Sequence, residues 1–206
     1  MFQKTFSPRA FGSGSGTVKN EDSSWAAARG AATGDSVDET KAYGGSRANV
    51  GSTTWYIDRG FLSFDTRSLP DDAVIIAVTL SGTFGGNDGD NDGDDYGVIV
   101  QSTQASATGL TTADFNNAGA TIGSNTIDLT AYYPVSAPAT FTFNATGRGW
   151  VNVTGDTTLA IREGHDILNH PINDAAQNQA QLVSSSLVVT YTSAIESGGS
   201  FLFNFV

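Results

Sequence analysis

The stretch Trp55 to Leu80, WYIDRGFLSFDTRSLPDDAVIIAVTL, constrains the fold of this chain more than any other. Leu62 and Phe64 share one side of its first run, and Phe61 and Ser63 the other. In the second run Ile75, Ala77 and Thr79 alternate with Ile76, Val78 and Leu80. A two-residue period is that of a pleated strand with a packed face. Between the runs, Pro70 has no amide proton to give a ladder and Asp71-Asp72 favour turns, so the break is specified locally. The segment specifies a fold and carries no catalytic grouping.

The rest of the chain agrees with an all-β reading. Its 206 residues, with 24 glycines and short strand-like runs between turn residues, suit one β domain with tails. No period of 20 to 50 residues recurs, which points to one sandwich and not a repeat array. No run of eighteen apolar residues exists, so no membrane-spanning helix is expected. Cysteine is absent, which removes disulfides, thiol nucleophiles and zinc–thiolate sites.

The pattern Arg59-Gly60-Phe61-Leu62-x-Phe64-Asp65-Thr66-x-x-Leu69-Pro70, followed by Ala77-Val78-Thr79-Leu80, resembles the DNRLRE-type jelly-roll modules of bacterial surface proteins and phage virion proteins. Trp25 to Gly34, Leu110 to Phe115, Phe143 to Trp150, Thr158 to Asn169 and Leu187 to Tyr191 extend the likeness over roughly Ser24 to Thr192. The resemblance implies an antiparallel jelly-roll β-sandwich with extended N- and C-terminal arms. Such modules serve as carbohydrate binders, spacers and virion parts alike, so the likeness speaks for fold more than for function.

On that basis residues 1–18 form an N-terminal assembly arm, 19–193 the sandwich, and 194–206 a hinge with an apolar strand. The arm carries Phe2, Phe6 and Phe11 as aromatic anchors and ends in Gly12-Ser13-Gly14-Ser15-Gly16. It has no apolar h-region or cleavage pattern, so ordinary export is not expected. At the other end Phe201, Phe203 and Phe205 share one face of an extended strand, with Leu202 and Val206 on the other. A strand this apolar either completes its own sandwich or inserts into a neighbouring subunit.

Charge is uneven. Lys4, Arg9 and Lys19 give the first twenty residues a charge of +3, and the remainder carries −14 of the net −11. So negative a body disfavours nucleic acid. It either serves solubility or receives the basic arm of a neighbour.

The loop Asn87 to Asp95, NDGDNDGDD, is the best candidate for chemistry. Asp88-x-Asp90-x-Asp92-Gly93 reproduces the first half of a calcium loop, in which oxygen ligands alternate along a sharply turning chain. The twelfth position is Ile99 where an EF-hand carries glutamate, so an EF-hand is excluded. Two readings stay open: a weak calcium site with Asp88, Asp90, Asp92, Asp94 and Asp95 as ligands, or a solvated hairpin loop.

Catalysis finds no footing, and no catalytic residue is assigned. His165 and His170 lie in GHDILNHP without a metalloprotease pattern, and Arg162, His165 and Asp166 read as a polar network fixing a loop, with Arg162 against a carboxylate such as Asp65. A carbohydrate site would draw rings from Trp25, Trp55, Tyr56, Tyr132 and Tyr133, whereas Trp150 reads as core. The function expected is a non-enzymatic structural subunit, most simply of a phage virion as capsid decoration or tail accessory. Its partners would be copies of itself or capsid and tail proteins. The alternatives are a carbohydrate-binding module at the cell surface, meeting a surface polysaccharide, and a bacterial filament joined by strand exchange.

Overall fold

The computed structural model describes residues 1–48, 53–87, 92–132, 135–173 and 176–194. Its strands are β1 (Phe2–Phe6), β2 (Gly16–Asp22), β3 (Ser36–Asp38), β4 (Ala42–Ala48), β5 (Trp55–Asp65), β6 (Val74–Asn87), β7 (Tyr96–Ser102), β8 (Ala118–Ile122), β9 (Ile127–Asp128), β10 (Ala137–Thr142), β11 (Asp156–Glu163) and β12 (Gln177–Thr192). Among the described residues three short α-helices intervene, α1 (Trp25–Gly30), α2 (Ala145–Arg148) and α3 (Gly164–Leu168), with 3-10 turns at Thr112–Asn117 and Thr130–Tyr132. Every named strand pairing is antiparallel, and the sheet runs β10-β6-β12-β4-β5-β11-β7-β8. The all-β antiparallel sandwich expected from the sequence is the fold.

The sheet closes into a sandwich because its two halves each present an apolar face. Leu80, Phe84, Phe141, Leu187, Val189 and Tyr191 from one half meet Leu62, Phe64, Ile99, Leu159 and Ile161 from the other in a single buried cluster. The middle strands β5, β11 and β7 are buried on both faces. Their opposite sides give Phe61, Ala160, Val98 and Val100 to a second cluster, which Trp25 and Ala28 of α1, Val18 of β2, Leu110 and Phe115 cover. This is why FLSF in β5 is buried at every position and does not alternate with solvent.

Two bulges reset the inward face. In β12 the register with β6 slips between Val183 and Ser186, Ser184 takes a left-handed φ of 52°, and burial passes from Leu182 to Ser185 and Leu187. The second slip pairs Thr190 with Ala77 but Tyr191 with Ile75. Ile76 is the extra residue, 41% exposed, while Ile75 packs against the core beside Tyr191.

Residues 2–6, read from the sequence as part of an assembly arm, are instead a strand of this chain's own sheet. β1 pairs with β12 from Phe2↔Tyr191 to Phe6↔Leu187. Phe6 is buried in the core, and Phe2 and Phe11 pack against it, Phe2 with its ring 5.9 Å from that of Tyr191. Arg9 then ties the segment down through Asp156 and Asp65. Burying Phe6 and packing Phe2 and Phe11 against the core at home outweighs leaving them for a neighbour. At the other end, Asp72 of the Pro70–Asp72 turn accepts from Ser193 Oγ at 2.7 Å and from the Ala194 amide at 2.8 Å. Phe201, Leu202, Phe203, Phe205 and Val206 lie outside the described residues.

Candidate functional site

The chemistry of this chain gathers where β4 crosses β11 at the start of α3. Gly44 makes the crossing possible, since a Cβ there would stand 2.6 Å from Arg162 Cα. From Arg162 to Asp166 the side chains divide between two environments.

Arg162 and Asp166 face an arginine cage. Asp166 is fully buried and takes two hydrogen bonds from Arg59, Nε to Oδ2 at 2.9 Å and Nη2 to Oδ1 at 2.8 Å. Arg162 Nε adds a third at 2.6 Å, and Arg29 Nε lies 3.4 Å from Oδ1. Burial pushes the Asp166 carboxyl up, but the guanidinium groups of Arg162 and Arg59 outweigh it and hold the group below the usual carboxylate range. Arg59 also lies over the Phe115 ring at 4.2 Å and donates to the Phe115 and Arg29 carbonyls. The cage therefore joins β5, β11, α1 and α3. The network expected around Arg162 is present with a different acid: its partner is Asp166, while Asp65 is exposed and belongs to Arg67 and Arg9. Arg162 points into the second cluster's side of the sheet, whereas Asp65 sits at the far end of β5.

Glu163 and His165 face the acidic loop. Both are fully buried; His165 Nδ1 lies 2.7 Å from Glu163 Oε1, and Ser46 Oγ donates to Glu163 Oε2 at 2.7 Å. Desolvation pushes the Glu163 carboxyl up, with His165 and Ser46 acting against it. On the other side of the ring, His165 Nε2 is 3.3 Å from Asp92 Oδ2. One ligand atom each from Asp92, Asp94 and His165 lie within 4.8 Å of one another. His170, exposed, places Nδ1 2.7 Å from Asp94 Oδ2. Asp95 is turned inward, where Asn178 Nδ2 donates to it. Of the five aspartates expected to act together, Asp92 and Asp94 converge at the surface and Asp95 is drawn into the protein; Asp88 and Asp90 lie outside the described residues.

Ser46 and Asn178, which hold Glu163 and Asp95 from behind, also line a groove of about 400 Å³ between β2, β4, β5 and the start of β12. Lys19, Tyr43, Arg47, Tyr56, Asp58 and Gln179 form much of the remainder. Asp58 is half-buried, and desolvation raises its carboxyl to about 6, with Lys19, Arg47 and Lys41 pulling it down and Asp38 up. The tyrosine faces are occupied by cations: Arg47 lies 3.8 Å over Tyr56, and Lys19 and Lys41 lie 5.4 and 5.2 Å from the buried Tyr43 ring centre.

Among the described residues, the rings considered for carbohydrate are divided between the two core clusters and the groove. Trp25 is buried in the second cluster, its Nε1 donating to Asn169 Oδ1 at 3.1 Å. Trp55 packs against the same cluster, with a buried Nε1 that has no partner among the described residues. Tyr132 stands edge-on to Phe84 at 5.0 Å, in the first cluster. Among the described rings only Tyr56 lines the groove, and Tyr133 lies outside the described residues. Trp25 and Tyr132 are drawn inward because a two-cluster core needs their area.

Sequence reasoning passed over Glu163, Arg59 and Asp58. Glu163 and Arg59 are charged residues inside apolar strand runs, and a charge in such a run requires a buried partner; that was the available signal. Asp58 gave none, because the groove needs four separate strands. Compared with protein-family models and with curated proteins, the chain matches none.

Proposed function

We propose that this chain is a non-enzymatic structural subunit of a larger assembly, with a phage virion, as capsid decoration or tail accessory, as the setting that the DNRLRE-type resemblance suggests. One observation carries the reading. Asp72 holds Ser193 and Ala194 beside the start of β6, where Val74 is 61% and Ile76 41% exposed. Next to them Ala73, Ile75, Val151 and Val153 line a depression together with Arg148. The chain thus leaves the sandwich at an apolar end face, and the residues that follow include the apolar Phe201 to Val206. An exposed apolar face in a chain whose sequence also carries an apolar C-terminal run suits contact between subunits. Light scattering on the full chain and on residues 1–194 tests this: defined oligomers from the first and monomers from the second support it. Monomers from both sink it.

A second reading, a carbohydrate-binding module, is favoured by the groove. Its amides, its carboxylates and the edge of Tyr56 suit a ligand with several hydroxyl groups. Binding of the full chain to a polysaccharide, lost on Asp58→Ala without loss of fold, would support this reading; indifference to a broad glycan panel would end it.

A further inference from the structure

We propose that Asp92, Asp94 and His165 bind one first-row divalent transition metal of the zinc class, a different cation from the calcium that the spacing of the loop suggests. The first ground is the orientation of His165. Its ring is fully enclosed, and Nδ1 is held at 2.7 Å by Glu163 Oε1, the same oxygen that accepts the His165 amide at 2.9 Å. Glu163 is itself fixed through Ser46. A carboxylate that binds one ring nitrogen leaves the other directed at the ligand position and raises its basicity, as outer-shell acids do for metal-bound histidines. Here that second nitrogen, Nε2, faces Asp92 at 3.3 Å.

The second ground is charge. Asp92 and Asp94 each bring a carboxylate oxygen within 4.8 Å of a His165 ring nitrogen, while Arg59 and Arg162 on the adjoining strands are turned to Asp166 on the opposite side. A dication between Asp92, Asp94 and Nε2 would offset this excess of negative charge. The third is ligand type. Calcium takes six to eight oxygens, whereas a set of one imidazole and two carboxylates suits zinc and its neighbours at bond lengths of about 2.0–2.2 Å. The three ligand atoms, now within 4.8 Å of one another, close to that geometry by rotation of Asp92 and Asp94, which are at least partly exposed. Water completes the coordination.

The full chain, stripped with a chelator, should be titrated calorimetrically with Zn²⁺ and with Ca²⁺, and with Co²⁺ by visible absorption. We expect one equivalent of Zn²⁺ to bind, a Co²⁺ spectrum showing nitrogen and oxygen ligation, and no displacement by millimolar Ca²⁺. Asp92→Asn and Asp94→Asn, both with solvent access, should each weaken Zn²⁺ binding about tenfold or more while leaving the metal-free melting temperature unchanged. Glu163→Gln should weaken it about tenfold. No saturable Zn²⁺ binding, preference for Ca²⁺, or affinity indifferent to both aspartate substitutions would overturn the proposal. Binding that is abolished by His170→Ala but unaffected by Asp92→Asn would place the metal at the surface and overturn it equally.

Discussion

Arg59 grips Asp166 through two parallel hydrogen bonds, 2.9 and 2.8 Å, with both side chains at most 3% exposed. A buried bidentate pair of this kind fixes orientation as well as charge. Because Arg162 shares the same carboxylate, removing its charge leaves two buried guanidiniums without an anion. Asp166→Asn is therefore expected to cost about 3–5 kcal/mol, read from urea unfolding at pH 7. A loss below 1 kcal/mol would show that the cage contributes little. The Asp166 carboxyl is depressed in the folded state, so its contribution is present above the unfolded value near 3.9. It disappears only as the pH falls through the lower native value, and melting at pH 5 should still reveal it in full.

Asp58 acts in the opposite direction. Its native carboxyl, raised to about 6, lies above the unfolded value of about 3.9, so the folded state holds the proton more tightly. Its contribution to stability therefore falls as the pH rises from about 4 through 6. Asp58→Asn removes the penalty, and at pH 8 should stabilise the protein by about 1–2 kcal/mol, after allowance for partial exposure. The gain should vanish at pH 4. Melting curves of both proteins across that interval decide it: equal differences at the two pH values would rule out the titration.

The sandwich was legible wherever local chemistry decides. The turn expected at Pro70 separates β5 from β6, and both strands follow the two-residue runs on either side of it. AYGGSRA of β4 carries no strand signature, because it has glycines where the pattern needs side chains; Gly44 serves the close crossing of β11, and Gly45 lies against Asn178 and Gln179 of β12. β12 shows no single two-residue period along its length, since the bulge at Ser184 inverts the alternation between Leu182 and Leu187. Asp92 and Asp94 were legible as candidates from their spacing. That His165, seventy-three residues beyond Asp92, faces them depends on tertiary pairing of β11 with β7, which no local pattern encodes.

Ser184 gives a test of that bulge. A non-glycine residue at φ 52° carries a steric cost that glycine lacks. Ser184→Gly should raise stability by about 0.5–1 kcal/mol, and Ser184→Val, β-branched and ill suited to positive φ, should lower it by more than about 1 kcal/mol. Thermal melts that rank valine above glycine would show that the bulge rearranges on substitution.

Gly164 links the strand–helix junction to the acidic loop. A Cβ on it would stand 2.1 Å from the Asp94 carbonyl oxygen and 2.8 Å from Tyr96 Cε1, so an added methyl must displace the backbone that carries Asp92 and Asp94. Gly30, at the end of α1, is the control: nothing lies within 4 Å of its Cβ position. Gly164→Ala is expected to destabilise by about 1–3 kcal/mol through overpacking. Gly30→Ala should be neutral or stabilise by up to about 1 kcal/mol. Because the displacement separates Asp94 from His165, Gly164→Ala should also weaken Zn²⁺ binding more than its loss of stability alone explains. Calorimetry well below the melting temperature separates the two effects: affinity unchanged in a folded Gly164→Ala protein would mean that the loop moves as a unit with His165.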